Sequence, residues 1–112
     1  MRVEIVLPDQ VRASAEVAIR VYLFNDSLEP VAVSRRAFVG PNLRSLEPAR
    51  GPYPNEVEGS DEEEPLTLQP LCLFGRERRF RLEPGSFEVT AFYNQAPLGR
   101  IEAARRFAVE PA

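Results

Sequence analysis

Strict alternation of apolar and polar residues is the feature that most limits how this chain can fold. It is clearest over residues 15–25, AEVAIRVYLFN, where one parity is occupied by Val17, Ile19, Val21 and Leu23. A two-residue period places these side chains on one face of an extended strand and does not fit the 3.6-residue period of a helix. The segment therefore predicts an antiparallel β-strand with one face in a core.

The same alternation recurs between turn signals along the rest of the chain. Further runs are VEIVL at 3–7, PVAVSRRAFVG at 30–40, LTLQPLCLF at 66–74, RERRFRL at 76–82, FEVTAFY at 87–93 and EAARRFAVEP at 102–111. Eleven prolines favour turns over long helices, and Gly40-Pro41 predicts the end of a strand. A helix over residues 98–107 is an alternative to the last strand. The pattern predicts one all-β domain over residues 1–112, an antiparallel β-sandwich of about seven strands.

Residues 47–65, EPARGPYPNEVEGSDEEEP, interrupt the alternation. Seven acidic residues against Arg50 give this segment a charge of −6, whereas the whole chain carries −3. Its length and four prolines predict a long, Pro-rich acidic loop. The candidate metal ligands are four consecutive carboxylates, Asp61, Glu62, Glu63 and Glu64. They lack the spacing of a calcium-binding EF-hand loop, so we expect solvated carboxylates and no cofactor.

The absence of histidine and lysine limits the chemistry that is available to this chain. It removes the usual general base, Ser-His and Cys-His nucleophile pairs, Schiff-base chemistry and a phosphate-binding loop, so no enzyme activity is expected. The net charge of −3 gives no case for nucleic acid. The single cysteine, Cys72, is expected in or beside the core, and a disulfide within the chain is excluded. Without a signal peptide or membrane-length apolar run, we expect a cytoplasmic protein.

Two stretches resemble known sandwich families. FRLEPGSFEVTAFY, residues 80–93, resembles the corner between two strands in immunoglobulin-like and fibronectin type III-like domains, with Phe87 where those families often have tyrosine. YLFNDSLEPVAV, residues 22–33, resembles a segment of bacterial sandwich domains, including small intracellular proteinase inhibitors. The resemblance implies an immunoglobulin-like sandwich whose corner at Phe87 is secured by packing alone. This resemblance implies a bacterial source, and the all-arginine basic set indicates an arginine-favouring, thermophile-like genome.

Outward-facing aromatic residues are the main functional signal. If the alternating residues of 15–25 face the core, Tyr22 and Phe24 point to solvent, and Phe92 does so if Phe87 and Val89 face inward. Tyr53, from the acidic loop, is the fourth interface candidate. The alternative is that loop 47–65 or LCLF covers the outward aromatic residues. They favour a non-catalytic protein-binding module, with a protein partner or self-association. One alternative is a proteinase inhibitor that presents the segment around Tyr53 or the connector 94–99. The other is a carbohydrate-binding module. The arginines of 76–81 and 105–106 are expected on solvated strand faces.

Overall fold

A computed structural model of the chain describes residues 1–13, 15–49, 53 and 65–111. Within these residues it contains eight β-strands, one 3-10 turn at Arg35–Ala37 and no α-helix. The strands are β1 Arg2–Val6, β2 Glu16–Phe24, β3 Val31–Ser34, β4 Phe38–Glu47, β5 Pro65–Leu68, β6 Leu73–Arg81, β7 Gly85–Gln95 and β8 Gly99–Val109. The all-β prediction is therefore confirmed, and β8 occupies the segment for which a helix was the alternative.

The strands form two three-stranded antiparallel sheets and one smaller sheet. The orders are β1-β2-β6 and β4-β7-β8, and β3 pairs with β5. The two larger sheets face each other, because β1 contacts β7 and β8 while β4 contacts β2 and β6. Their inward side chains belong to one hydrophobic cluster. This sandwich-like arrangement agrees with the predicted fold class.

β2 shows how the alternation in the sequence builds the core. Its burial alternates residue by residue, and the inward side chains of Ile19, Val21 and Leu23 have no exposed surface. The facing layer comes from β4 and β7 and includes Phe38, Leu43, Phe87, Val89 and Tyr93. Each buried side chain of this size stabilises the fold by about 1.5–3 kcal/mol. The two facing layers therefore provide the main stabilisation of the sandwich.

β4 differs from the prediction that Gly40-Pro41 ends a strand. The strand continues to Glu47, and its pairing with β7 shifts register between Val39 and Asn42. The irregularity accommodates Gly40, whose φ of 134° favours glycine, and Pro41. A Cβ at position 40 would also lie 2.7 Å from the Cβ of Ala91. A bulge, and not a strand end, is therefore the role of this dipeptide.

Arginines close one long side of the sandwich, where solvated strand faces were expected. Arg76 and Arg78 lie on the inward face of β6, opposite core residues of β2. The Arg76 guanidinium donates to the backbone carbonyl oxygens of Phe38 and, at 2.8 Å, Arg35. Arg78 donates to the carbonyl oxygen of Pro41 at 3.1 Å. These bonds tie the edge strand β6 to the edge strand β4 of the other sheet.

The opposite long side carries the same kind of contact. Arg105 of β8 lies opposite the inward-facing Val89 and donates to the carbonyl oxygen of Ile5 in β1 at 3.2 Å. A guanidinium suits this position because its apolar stem packs inward while its fork of donors reaches backbone carbonyls. Both pairs of facing edge strands are therefore joined by arginine.

Candidate protein-binding surface

Asn25, directly after β2, organises the loops at one end of the sandwich. Its side chain is fully buried. The amide nitrogen donates to the carbonyl oxygens of Glu29 at 2.8 Å and Leu68 at 2.9 Å. The amide oxygen accepts from the backbone N–H of Ser27 at 3.0 Å and from its hydroxyl at 2.7 Å. The satisfied amide fixes the loop after β2 against β5, which gives the Asn25 and Ser27 positions of the YLFNDSLEPVAV segment a structural role.

The turn between β5 and β6 is attached to the same asparagine. The Asn25 N–H donates to the Cys72 carbonyl oxygen at 3.0 Å, and the Leu71 N–H donates to the Asn25 carbonyl oxygen at 2.9 Å. The Cys72 N–H bonds the Gln69 carbonyl oxygen at 3.1 Å, closing a four-residue turn with Pro70 second and Leu71 third. Leu71 has φ 60°, in the left-handed region that a type II turn usually gives to glycine or asparagine.

The side chains of this turn point to solvent. Leu71 is 68% exposed, and Leu73, at the start of β6, is 50% exposed. Cys72 is exposed as well, which corrects the expectation that it lies in or beside the core. The physical reason is that Cys72 belongs to the turn, so the alternation of the LCLF run does not apply to it. An apolar surface therefore begins at this turn.

The outer face of the β1-β2-β6 sheet continues this surface. Phe24 lies directly opposite Leu73, and Tyr22 lies opposite Gly75. A Cβ at position 75 would stand 2.5 Å from the Tyr22 ring, so glycine is what allows the ring to lie against β6. We call Phe24, Leu71 and Leu73 the apolar end.

The other half of this outer face is a network of ion pairs. Glu77 accepts hydrogen bonds from Arg20 at 2.8 Å and from Arg79 at 3.3 Å, and Arg79 also donates to Glu16 at 3.0 Å. The bond from Arg20, followed by that from Arg79, lowers the pKa of Glu77 below its ordinary value. These exposed groups satisfy one another and contribute little to folding. On β2 and β6 the outer face is therefore divided into a self-neutralised charged half and the apolar end.

The structure separates the four aromatic interface candidates, Tyr22, Phe24, Phe92 and Tyr53. Tyr22 and Phe24 are half-buried neighbours on the outer face of β2. Phe92 is on the outer face of β7, in the other sheet, where the Arg100 guanidinium covers its ring at 4.2 Å. Tyr53 packs edge-on against Phe87 with ring centres 5.8 Å apart, so it contacts the core. Of the four candidates, only Phe24 belongs to the apolar end, and Tyr22 lies beside it on β2. The sequence reasoning did not select Leu71 and Leu73.

The remaining candidate segments have local structural roles. Phe87, at the corner that the resemblance identifies, is fully buried and stacks on Phe107 with ring centres 5.6 Å apart. The connector 94–99 is a tight hairpin turn, because Gln95 pairs with Gly99 across three intervening residues. It therefore offers no extended loop.

The predicted metal ligands Asp61, Glu62, Glu63 and Glu64 lie outside the described residues. Within residues 1–13, 15–49, 53 and 65–111, no group of three or more His, Cys, Asp or Glu is placed to hold a metal ion. The same part of the chain has no helix of the length and apolar character needed to span a membrane.

Comparison with known protein families, with curated proteins and with solved structures finds no match to this chain. Function is therefore inferred from the residues of the chain itself.

Proposed function

We propose that this protein is a non-catalytic protein-binding module whose contact surface is the apolar end. The observation that carries the proposal is Leu71, a large apolar side chain that is 68% exposed on a backbone at φ 60°. Both properties are unfavourable in an isolated domain, since the left-handed conformation alone costs about 1–2 kcal/mol. Residues held in such conformations concentrate at functional sites. A partner with an apolar groove would gain about 1.5–3 kcal/mol for each leucine it buries.

The rigidity of the apolar end supports the same proposal. The buried Asn25 amide and the backbone bonds of the turn hold Leu71 in place before any partner arrives. A preorganised surface loses little conformational entropy on binding, and more of the burial energy then appears as affinity. The immunoglobulin-like character of the sandwich belongs to this proposal, because domains of that kind present end loops to their partners.

Two rival functions have less support from the geometry. A carbohydrate-binding module stacks sugars on uncovered aromatic faces, but the Arg2 guanidinium lies 4.8 Å over the Phe24 ring and Arg100 lies 4.2 Å over Phe92. A proteinase inhibitor presents an extended loop. Of its two candidate loops, the connector 94–99 is a tight turn, and the segment around Tyr53 lies outside the described residues except for Tyr53 itself. We also infer a cytoplasmic location, because a reducing compartment protects the exposed thiol of Cys72 from intermolecular oxidation.

Leu71→Asn separates a binding role from a structural one. Asparagine adopts the left-handed conformation more readily than leucine, so the variant should be as stable as the wild type or up to about 1 kcal/mol more stable. It should nevertheless lose the partner. Val6→Ser is the matched control, because Val6 is 45% exposed on the same outer face but lies opposite Arg20 in the charged half. The assay is capture of proteins from a lysate of the source organism on tagged wild type, Leu71→Asn, Leu73→Ser and Val6→Ser.

A stoichiometric protein that binds wild type and Val6→Ser, but neither leucine variant, is the expected result. Equal capture by all four proteins would move the binding site elsewhere. Capture of a protease that becomes inactive on binding would support an inhibitor function in place of a binding module. If the wild type captures no protein, the proposal is contradicted.

A further inference from the structure

Among the described residues, β8 is a long edge strand that pairs on one side alone over most of its length. It pairs with β7 from Gly99 to Val109, 11 residues with continuous register. Among the described residues, backbone pairing on its other side is limited to the bridge between Arg12 and Glu110 and the bonds of Ala13 and Val11 to Glu110. An unpaired edge of this length is a template for another strand.

The other edges of the two larger sheets carry features that oppose such pairing. β4 contains Pro41 and two register shifts. β6 turns Arg76 and Arg78 inward along its edge, and β1 is only five residues long. β8 contains neither proline nor bulge, and its one inward arginine, Arg105, reaches across the sandwich to β1. β8 is therefore the least protected of these four edges.

The outward face of β8 has a charge pattern that complements itself. Its outward residues are Arg100, Glu102, Ala104, Arg106 and Ala108, opposite the outward face of β7. In an antiparallel two-fold pair, directly opposed residues must point to the same face. Pairing about Ala104 then places Glu102 opposite Arg106 of the partner subunit twice, and Ala104 opposite its own copy.

The neighbouring registers lack this complementarity. Pairing about Ala103 places Arg100 opposite Arg106 of the partner subunit. Pairing about Glu102, Arg105 or Arg106 places that charged residue opposite its own copy. Like charges that are directly opposed across strands are unfavourable, so among the registers centred between Glu102 and Arg106 the one about Ala104 is selected.

We propose that β8 pairs antiparallel with β8 of a second copy of this chain, centred on Ala104. The pair joins two three-stranded sheets into one six-stranded sheet in the order β4-β7-β8-β8-β7-β4. On the inward face, Ile101 lies opposite Phe107 of the partner subunit, which adds an apolar pair to the two ion pairs. The pairing uses the sheet that does not carry the apolar end, so it is independent of the proposed function.

Charge exchange tests both the partner and the register. Glu102→Arg gives each chain two outward arginines at the opposed positions, and Arg106→Glu gives two outward carboxylates. Each variant alone should dissociate about tenfold or more readily than the wild type, because both ion pairs become repulsive. An equimolar mixture of the two should restore the dimer, since every opposed pair again has opposite charges. Sedimentation equilibrium over a concentration series measures all four samples.

Cysteine cross-linking gives a second, independent readout of the register. In a Cys72→Ser background, Ala104→Cys should form an intersubunit disulfide, because opposed Cα atoms at 4.5–5.5 Å suit disulfide geometry. Ala108→Cys is the control, since residue 108 lies opposite Arg100 of the partner subunit. A monomeric wild type, charge variants that dimerise like the wild type, or equal cross-linking at both positions would each overturn the proposal.

Discussion

Replacing Asn25 by aspartate tests whether this one amide holds the two loops that present the apolar end. The substitution preserves shape but exchanges the donating nitrogen for a carboxylate oxygen that faces the carbonyls of Glu29 and Leu68, at 2.8 and 2.9 Å from that nitrogen. Because the site is fully buried, the charged form is strongly disfavoured and the folded protein is expected to keep the carboxyl protonated.

The magnitude follows from this protonation. An unfolded aspartate has a pKa of about 3.9, so holding the proton at pH 7 costs about 4 kcal/mol at 1.36 kcal/mol per unit. The protonated acid can donate to one of the two carbonyls, and the lost second bond adds about 1 kcal/mol. Asn25→Asp should therefore be about 5 kcal/mol less stable than the wild type at pH 7. At pH 4 the proton costs about 0.5 kcal/mol, and the deficit should shrink to about 1.5 kcal/mol.

Urea denaturation of both proteins at pH 7 and pH 4, followed by far-ultraviolet circular dichroism, gives the two differences in free energy of unfolding. The matched control is Asn94→Asp, the same chemical change at an exposed position of β7, which should alter stability by at most about 0.5 kcal/mol at either pH. A deficit of Asn25→Asp that is the same at both pH values, or as small as that of Asn94→Asp, would refute the reasoning.

Three further predictions concern the stability of the sandwich. Arg76→Met should lower the free energy of unfolding, measured by urea denaturation, by about 1–3 kcal/mol, because it removes a charged donor to two carbonyls. The exposed Arg12→Met should lower it by under about 0.5 kcal/mol, and equal losses would show that Arg76 does not join the sheets. Gly40→Ala should lose more than about 2 kcal/mol of thermal stability, since its Cβ would lie 2.7 Å from the Cβ of Ala91. Gly99→Ala, whose Cβ would have nothing within 4 Å, should lose only about 1 kcal/mol because of its left-handed backbone. The reverse order would contradict the bulge geometry. The pKa of Glu77 is lowered on folding, so its carboxylate stabilises the fold above its ordinary pKa of 4.5 and ceases to do so as pH falls through the folded pKa. The difference in melting temperature between Glu77→Gln and wild type should therefore vanish in acid. A difference that grows in acid would oppose this account.

Most of the strands could be predicted from the sequence because one-sided burial leaves a two-residue period. Ile19, Val21 and Leu23 face the core as that period requires. The same period places Arg76 and Arg78 on the face of β6 that carries Phe80. An inward position was nevertheless not expected, because arginine side chains usually face solvent. Their carbonyl partners lie on β4, far away in the sequence, so no local pattern indicates them.

The candidate surface was less predictable, since it depends on backbone conformation and on contacts between distant segments. The sequence Gln69-Pro70-Leu71-Cys72 does not indicate that the leucine adopts the left-handed conformation, because the third position of such a turn is normally occupied by glycine or asparagine. The prediction therefore treated LCLF as a continuous apolar run and placed Cys72 in or beside the core. Phe24 was identified because it lies in the regular alternation of β2, where sequence reasoning is strongest.

Hydrogen exchange of the captured complex tests most directly the claim that the apolar end binds a protein. Backbone amides of Gln69, of residues 71–74 and of Phe24 would be compared in the free protein and in the complex, with Gly99–Val109 as the internal reference. We predict slower exchange at the apolar end on binding and no added protection along β8. Protection that appears along β8 or on the charged half, with the exchange of residues 69–74 unchanged, would contradict the account.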